Sequence, residues 1–245
     1  MSLRKTILIK QPAGLGDILF CQKIADTLAV SHNAEIIWPV RKPYADLGEY
    51  LLNFSYPCVE DDFPFKDAYE QCPRHSRIVQ PNFEVWCLDG CNTPNGVLKA
   101  KYDFTGMDWK GWQKHLKIKR KIDKEEDLFY NVLHLSDTDE YILVNDFIGS
   151  PPEHTFKVDL APTGSPFKKV NLEFIEGFSL FDWAKVVEGA TELYMEGSAL
   201  AYIAEKLSLR ATSLNLFSRD HHAIDGLFDQ PWTSRYSNQT HMKDL

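Results

Sequence analysis

The amino-acid sequence predicts an α/β fold made of two domains, residues 1–137 and 138–230. Two segments carry this prediction. Residues 6–28 read as strand, glycine turn and helix, and residues 178–216 read as helix, strand, helix and strand. This alternation is typical of parallel sheets covered by helices. A charged and then polar stretch, residues 123–139, indicates a boundary near residue 137.

The first strand is predicted at residues 6–10, where the apolar run suits a central strand buried on both faces. A loop with Gly14 and Gly16 follows, and from Asp17 onward apolar residues recur at three- and four-residue spacing, as in a helix packed on a sheet. Such a turn directs backbone amides and the positive end of the helix dipole at the carboxyl edge of the sheet. Open α/β folds bind ligands at that edge.

The rest of the first domain is predicted to be less regular. Residues 55–82 contain several prolines among scattered aromatic residues and are expected to be irregular. The closely spaced Asn and Gly residues of segment 90–96 predict a turn-rich loop. The other elements expected here are a strand at 35–40, a helix at 43–54, a strand at 83–88 and a short helix at 107–116.

The second domain contains the clearest helix of the sequence, residues 178–190. Ser179 and Asp182 approximate a capping box at its start, and Gly189 ends its apolar stripe. A tail, residues 231–245, is expected to return to the first domain. The other elements expected are strands at 141–145, 154–160, 169–175, 192–195 and 212–216, and a helix at 199–207. The anchors expected for the tail are Trp232 and Tyr236.

Composition and charge narrow the functional classes. The formal net charge of −8 argues against broad nucleic-acid or anionic-membrane binding, because such partners are bound by basic surfaces. No apolar run approaches the roughly 20 residues of a membrane span, and the N-terminus lacks the long apolar core of a signal peptide. We therefore expect a soluble, cytoplasmic protein with no nucleic-acid partner and no membrane span.

The five cysteines predict reduced thiols, since they form no even disulfide framework in a chain long enough to build a core. An alternative is a structural zinc site, because Cys72, His75, Cys87 and Cys91 supply the four ligands that zinc prefers. Both pairs depart from the Cys-x-x-Cys form. We therefore expect no metal.

The glycine loop differs from the dinucleotide-binding fingerprint. Leu19 occupies the position of the third glycine, and the second predicted strand ends without an acidic residue for a ribose. A nicotinamide or flavin is therefore not expected, and the sequence predicts no cofactor.

Residues 7–28 resemble the Gly-x-Gly-Asp loop that opens the N-terminal domain of GT-B glycosyltransferases of the heptosyltransferase kind, glycosyltransferase family 9. The resemblance implies two Rossmann-like domains that face each other across a cleft, with this loop on the acceptor side. It also implies that Asp17 is the base for the acceptor hydroxyl. From the residues alone an alternative stays open, in which Asp17 only caps the helix.

Residues 178–216 resemble the nucleotide-binding half of the same family, where an acid-Ser/Thr-Gly turn at a helix N-terminus holds the donor diphosphate. By this resemblance Glu196 faces sugar or ribose hydroxyls, and Glu176 lies where the family holds the nucleoside. The expected donor- and phosphate-binding residues are Gly14, Gly16, Glu176, Glu196, Gly197 and Ser198.

The chain departs from the family pattern at two positions. The family usually has a histidine five residues after the acid of the turn, and this chain has Ala201. The family's basic residue after the first strand of this domain has no clear counterpart beyond His154 or Lys157. Both departures weaken the expected diphosphate site.

The sequence therefore predicts a glycosyltransferase that moves a sugar from a nucleotide-activated donor to an acceptor hydroxyl, without an obligatory metal. A catalytically degenerate binding or regulatory module for a nucleotide or phosphate ligand is the main alternative. The two departures favour that module, and the retained Asp17 favours the enzyme. In a third alternative, one doubly wound domain carries the glycine loop, residues 14–17, and the turn at residues 196–198 on a single sheet.

Overall fold

The computed structural model describes residues 4–91, 96–146, 160, 164–218 and 226–236. The chain divides into two compact units, Met1–Lys119 and Arg120–Leu245, and each unit has its own sheet. The predicted α/β class is confirmed. The glycine loop and the turn at residues 196–198 follow strands of different sheets, so the single-sheet alternative is wrong.

The first unit contains a four-stranded sheet with a mostly parallel core. Its strands are β1 (Lys5–Lys10), β2 (Ala34–Ile37), β3 (Ser76–Val79) and β4 (Phe83–Cys87). Their order is β2-β1-β4-β3, with β1 parallel to both neighbours and β3 antiparallel at the edge. Ile7, Leu8 and Ile9 are fully buried, so β1 is the central strand that its apolar run predicts.

Helices follow the strands of this unit, and most of them are short. The second helix is the longest and packs on β1 and β2, burying Ile24, Ala25 and Leu28. The α-helices are α1 (Leu15–Phe20), α2 (Gln22–Ser31), α3 (Leu47–Tyr50), α4 (Lys66–Gln71) and α5 (Val97–Thr105). Turns of 3-10 helix cover Lys42–Tyr44 and Trp112–His115.

The middle of this unit is more regular than the sequence predicts. The expected irregular segment 55–82 contains α4 and β3, and the expected helix at 43–54 is reduced to short turns. Residues of β3 alternate between half-buried and exposed, because it is an edge strand. Residues 92–95 of the expected turn-rich loop lie outside the described residues, and the unexpected α5 begins at Val97, with Gly96 as its N-cap.

The second unit contains a five-stranded sheet, and all of its strands are parallel. The strands are β5 (Tyr141–Asn145), β6 (Lys168–Asn171), β7 (Glu192–Glu196), β8 (Ser213–Ser218) and β9 (Thr233–Tyr236). Their order is β6-β5-β7-β8-β9. The expected strand at 154–160 lies, except for its last residue, outside the described residues.

The predicted capping box is confirmed. The hydroxyl of Ser179 accepts a hydrogen bond from the amide of Phe181, and the carboxylate of Asp182 accepts one from the amide of Ser179. The helix that follows begins as a 3-10 turn, Leu180–Trp183. The other helical elements are α6 (Ile122–Glu126), a π-helical turn (Asp127–Val132), α7 (Ala184–Gly189) and α8 (Ala199–Ala204). Among the described residues of the whole chain, no helix has the length and apolar character needed to cross a membrane.

The units divide after Lys119, earlier than the boundary expected near residue 137. Arg120 explains this difference. Its Nε donates to Oε1 of Glu125 at 2.6 Å, and its Nη2 donates to Oε2 of Glu188 at 2.9 Å. These charge-assisted bonds tie the segment that starts at Arg120 to α7, so the charged stretch belongs to the second unit instead of linking the two.

The beginning of the expected tail also belongs to the second unit. Residues 233–236 form β9 beside β8, and Trp232 donates its Nε1 hydrogen to Oε1 of Glu205 at 2.7 Å. The Glu205 carboxylate also accepts the amide of Asp229 at 2.7 Å, and its burial raises the pKa of this carboxyl group. Trp232 is therefore an anchor within the second unit. Residues 237–245 lie outside the described residues.

Candidate functional site

The glycine loop leaves the carboxyl end of β1 and is held by bonds from neighbouring segments. The amide of Gln11 donates its Nε2 hydrogen to the carbonyl of Ala13 at 2.6 Å. The indole of Trp38 donates to the carbonyl of Gln11 at 3.0 Å, and the amide of Arg41 donates to the carbonyl of Pro12 at 2.9 Å. The loop therefore has a defined position at the edge of the sheet.

Gly14 gives the loop its sharp entry into α1. Its φ is +80°, in the left-handed region that favours glycine, and it occupies the N-cap position of the helix. A Cβ atom at Gly14 would lie 2.5 Å from Oδ2 of Asp17. The carboxylate of Asp17 thus folds back over Gly14, and the missing side chain leaves room for it.

Asp17 is the third residue of α1, and its side chain is 28% exposed. Within the described residues its carboxylate interacts with Lys101 and makes no capping bond to the first-turn amides. The interpretation of Asp17 as a helix cap is therefore wrong. Gly16 is the second residue of the helix and is half-buried.

Lys101 of α5 is the residue at this edge that the sequence did not reveal. Its side chain is only 2% exposed, and its Nζ lies 3.2 Å from Oδ1 of Asp17. The same ammonium group donates to Oε1 of Gln11 at 2.7 Å and to the carbonyl of Leu88 at 3.0 Å. No pattern in the sequence separates Lys101 from Lys99, which lies over the ring of Trp109 instead.

The second predicted site begins where β7 ends, at Glu196, which is 2% exposed. The turn residues use their amides within the protein: Gly197 donates to the carbonyl of Phe217 at 2.8 Å, and Ser198 donates to the carbonyl of Glu196 at 2.6 Å. These two amides are therefore engaged, and the expectation that they hold a diphosphate loses support.

The hydroxyl of Ser198 keeps the chemistry expected of this turn. Its Oγ accepts a hydrogen bond of 2.6 Å from Nδ2 of Asn145, at the carboxyl end of β5. A hydroxyl both accepts and donates, so the Ser198 proton remains available for a further acceptor such as a phosphate oxygen. Asn145 is 1% exposed, and sequence reasoning missed it because its partner Ser198 lies 53 residues away in the sequence, at the start of α8.

Glu176 lies in the loop after β6 and is exposed. Phe174 of the same loop has 94% of its surface exposed. Ala201, at the position where a histidine was expected, is fully buried in α8. His154 and Lys157 lie outside the described residues.

The zinc alternative does not form. Among the residues that the structure describes, no three His, Cys, Asp or Glu side chains are grouped to hold a metal ion, and Cys72, His75, Cys87 and Cys91 are all described. The five cysteines are free thiols. Burial raises the pKa of Cys91 to about 11, so this thiol is protonated near neutral pH.

Gly14→Ala is expected to displace the Asp17 carboxylate, because the new Cβ would meet Oδ2. It also places alanine in the left-handed region, which destabilises by about 1–2 kcal/mol. Gly106→Ala is the matched control, since Gly106 has φ +69° but nothing within 4 Å of the new Cβ. Urea denaturation should show a loss for both variants, larger for Gly14→Ala by about 1 kcal/mol. Equal losses would contradict the packing of the carboxylate on Gly14.

Comparison with known proteins identifies the fold. No protein-family model matches the chain, and no curated protein sequence does. The chain is similar to the crystal structure of a glycosyl transferase family 9 protein from Veillonella parvula DSM 2008. The TM-score is 0.55 at 11% identity, and the similarity covers 96% of this chain and 88% of that chain.

The chain is also similar to two crystal structures of TibC, a dodecameric iron-containing glycosyltransferase. One is of TibC from enterotoxigenic E. coli H10407. The other is of TibC in complex with ADP-D-beta-D-heptose. Both show 12% identity, cover 89% of this chain and 59% of TibC, and give TM-scores of 0.47 and 0.46. The Veillonella structure confirms the similarity that the two segments predicted: this chain has a fold similar to that of a glycosyl transferase family 9 structure.

Proposed function

We propose that this chain is a glycosyltransferase that moves a sugar from a nucleotide-activated donor to an acceptor hydroxyl, with Asp17 as the general base. One observation carries the proposal. The carboxylate of Asp17 is half-buried, does not cap its helix, and is paired with a buried lysine at the carboxyl end of a central parallel strand. The fold similarity to a family 9 structure supports the same class of enzyme.

The location of Asp17 suits this role. In open α/β folds ligands bind beyond the carboxyl ends of the strands, and β1 is central in its sheet. The exposed part of the Asp17 side chain leaves it within reach of an acceptor. Its Oδ1 is engaged by Lys101, so Oδ2 is the oxygen proposed to receive the proton.

The proposed step is a displacement at the anomeric carbon. The acceptor oxygen forms a new bond to this carbon as the bond from the carbon to the donor diphosphate breaks, and the electron pair of that bond leaves with the nucleoside diphosphate. The acceptor proton passes to Asp17. The hydroxyl becomes acidic as its bond forms, and a positioned base contributes about 10²–10⁴-fold to such a step.

On the donor side the proposal relies on the hydroxyl of Ser198. Asn145 fixes its oxygen, so its proton can point at a phosphate oxygen and stabilise the charge that develops on the leaving diphosphate. Glu196 and Glu176 are proposed to bind sugar or ribose hydroxyls, and Gly14 and Gly16 stay proposed phosphate-side residues. The exposed ring of Phe174, two residues before Glu176, offers a stacking surface for the nucleobase of the donor.

A nucleotide- or phosphate-binding module without catalysis is the second candidate. The buried Ala201 favours it, because a histidine at that position would supply a charge that alanine lacks. The two candidates differ in turnover, whereas both require binding at the turn that contains Ser198.

Asp17→Asn tests the catalytic assignment. The amide keeps an oxygen for Lys101 but cannot take the acceptor proton, so turnover should fall by about a hundredfold or more. Donor affinity should stay within about twofold, because the donor is proposed to bind through other residues. Loss of the charged partner should reduce the unfolding free energy by about 1–3 kcal/mol, so assays belong well below the urea midpoint.

Asp46→Asn is the control for this variant, since Asp46 is exposed in the same unit. It should behave as the parent protein does. Parental turnover in Asp17→Asn would contradict the base assignment.

The proposed transfer needs no metal, so EDTA should leave the parental rate unchanged.

Ser198→Asp tests the donor site. A carboxylate at this position would repel the diphosphate, so stabilisation of the protein by nucleotides should be lost. Thr212→Asp is the matched control, because Thr212 is exposed and lies just before β8, at the opposite edge of the same sheet. Thermal denaturation with nucleoside diphosphates measures the effect. Equal stabilisation in both variants would rule out binding at Ser198.

A further inference from the structure

The ammonium group of Lys101 is buried and has three polar neighbours. Its Nζ donates hydrogen bonds to the side-chain oxygen of Gln11 and to the carbonyl of Leu88, and it forms an ion pair with Oδ1 of Asp17 at 3.2 Å. Lysine side chains are almost never so completely buried unless they are paired. These three polar neighbours therefore hold Nζ in a defined position beside the Asp17 carboxylate.

The pair is asymmetric with respect to solvent. The side chain of Lys101 is 2% exposed, whereas that of Asp17 is 28% exposed. The lysine thus lies behind the carboxylate, where an acceptor or donor has no access to it. An effect of Lys101 on the reaction therefore passes through the side chains that it contacts, Asp17 and Gln11.

The three polar neighbours of Nζ come from different segments of the first unit. Asp17 belongs to α1, Gln11 to the glycine loop and Leu88 to the segment after β4, whereas the lysine itself is on α5. Lys101 therefore holds the carboxylate relative to the carboxyl edge of the sheet. The neighbouring thiols of Cys21 and Cys91 have pKa values raised by burial and do not compete as anions near neutral pH.

Stability alone does not account for a charged group here. Removing an ammonium group from water has a penalty of several kcal/mol, and replacing a buried ion pair with well-packed apolar residues is often neutral or stabilising. An apolar residue on α5 would fill this space. What it would not do is determine where the Asp17 carboxylate points.

We infer that Lys101 is a positioning residue, which holds the carboxylate of Asp17 in the orientation needed to take the acceptor proton. This inference rests on the proposed function. Misplacement of a reacting group by about 1 Å lowers rates by up to about 10²-fold, so the loss of Lys101 acts on turnover rather than on donor binding.

A double-mutant cycle tests the inference. Lys101→Met removes the charge and keeps the volume, and Lys101→Gln removes the charge and keeps a polar end. Each is combined with Asp17→Asn. Both single variants should lower kcat by about tenfold or more with the donor KM within about twofold. Added to Asp17→Asn, neither should change kcat by more than about threefold, because a residue that acts through Asp17 has no effect once the base is gone.

Lys99→Met is the matched control, since it removes the same charge from the same helix without contact to Asp17. It should leave kcat unchanged. A purely structural role of Lys101 would give rate losses that multiply with those of Asp17→Asn, and urea denaturation separates such losses from unfolding.

The outcomes distinguish this inference from the proposed function. Parental kcat in Lys101→Met and Lys101→Gln, or multiplicative losses in the double variants, would overturn the positioning role while Asp17→Asn remains slow. Parental kcat in Asp17→Asn would instead overturn the base assignment itself.

Discussion

The arrangement of the segments at the carboxyl edge of the first unit's sheet depends on the ion pair between Asp17 and Lys101. A buried ammonium group needs polar partners, and this one donates to Gln11 and to the carbonyl of Leu88 and pairs with the Asp17 carboxylate, so these groups meet at one point. The carboxylate in turn occupies the space that a side chain at Gly14 would fill. One buried charge thus links the glycine loop, α1, α5 and the end of β4.

In the second unit, neutral groups position the polar side chain at the carboxyl ends of the strands. Its turn after β7 consumes the amides of Gly197 and Ser198 internally, and Asn145 from the neighbouring strand fixes the hydroxyl of Ser198. A hydroxyl with a fixed oxygen and an available proton suits an anionic ligand. Each unit therefore places one polar side chain at the carboxyl end of parallel strands, supported by a residue from another element.

Local sequence predicted the elements whose signals are local. The apolar run of β1, the strand β5 and the capping box of Ser179 and Asp182 depend on neighbouring residues and were confirmed. Lys101 could not be predicted, because its burial arises from acceptors far away in the sequence. The antiparallel edge strand β3 escaped for a similar reason, since its half-exposed residues carry little apolar pattern and pairing with β4 defines it. The early start of the second unit depends on Arg120, whose partner Glu188 is equally distant in sequence.

Release of nucleoside diphosphate from a panel of nucleotide sugars, with and without hydroxyl acceptors, tests the central claim most directly. The account predicts that at least one donor is bound and consumed, with nucleoside diphosphate formed at the rate of sugar transfer. Binding is measured in parallel, because a donor at about a hundred times its Kd stabilises the folded chain by about 2.7 kcal/mol. A donor that gives this stabilisation but yields no nucleoside diphosphate with any acceptor would contradict the account and identify the chain as a binding module.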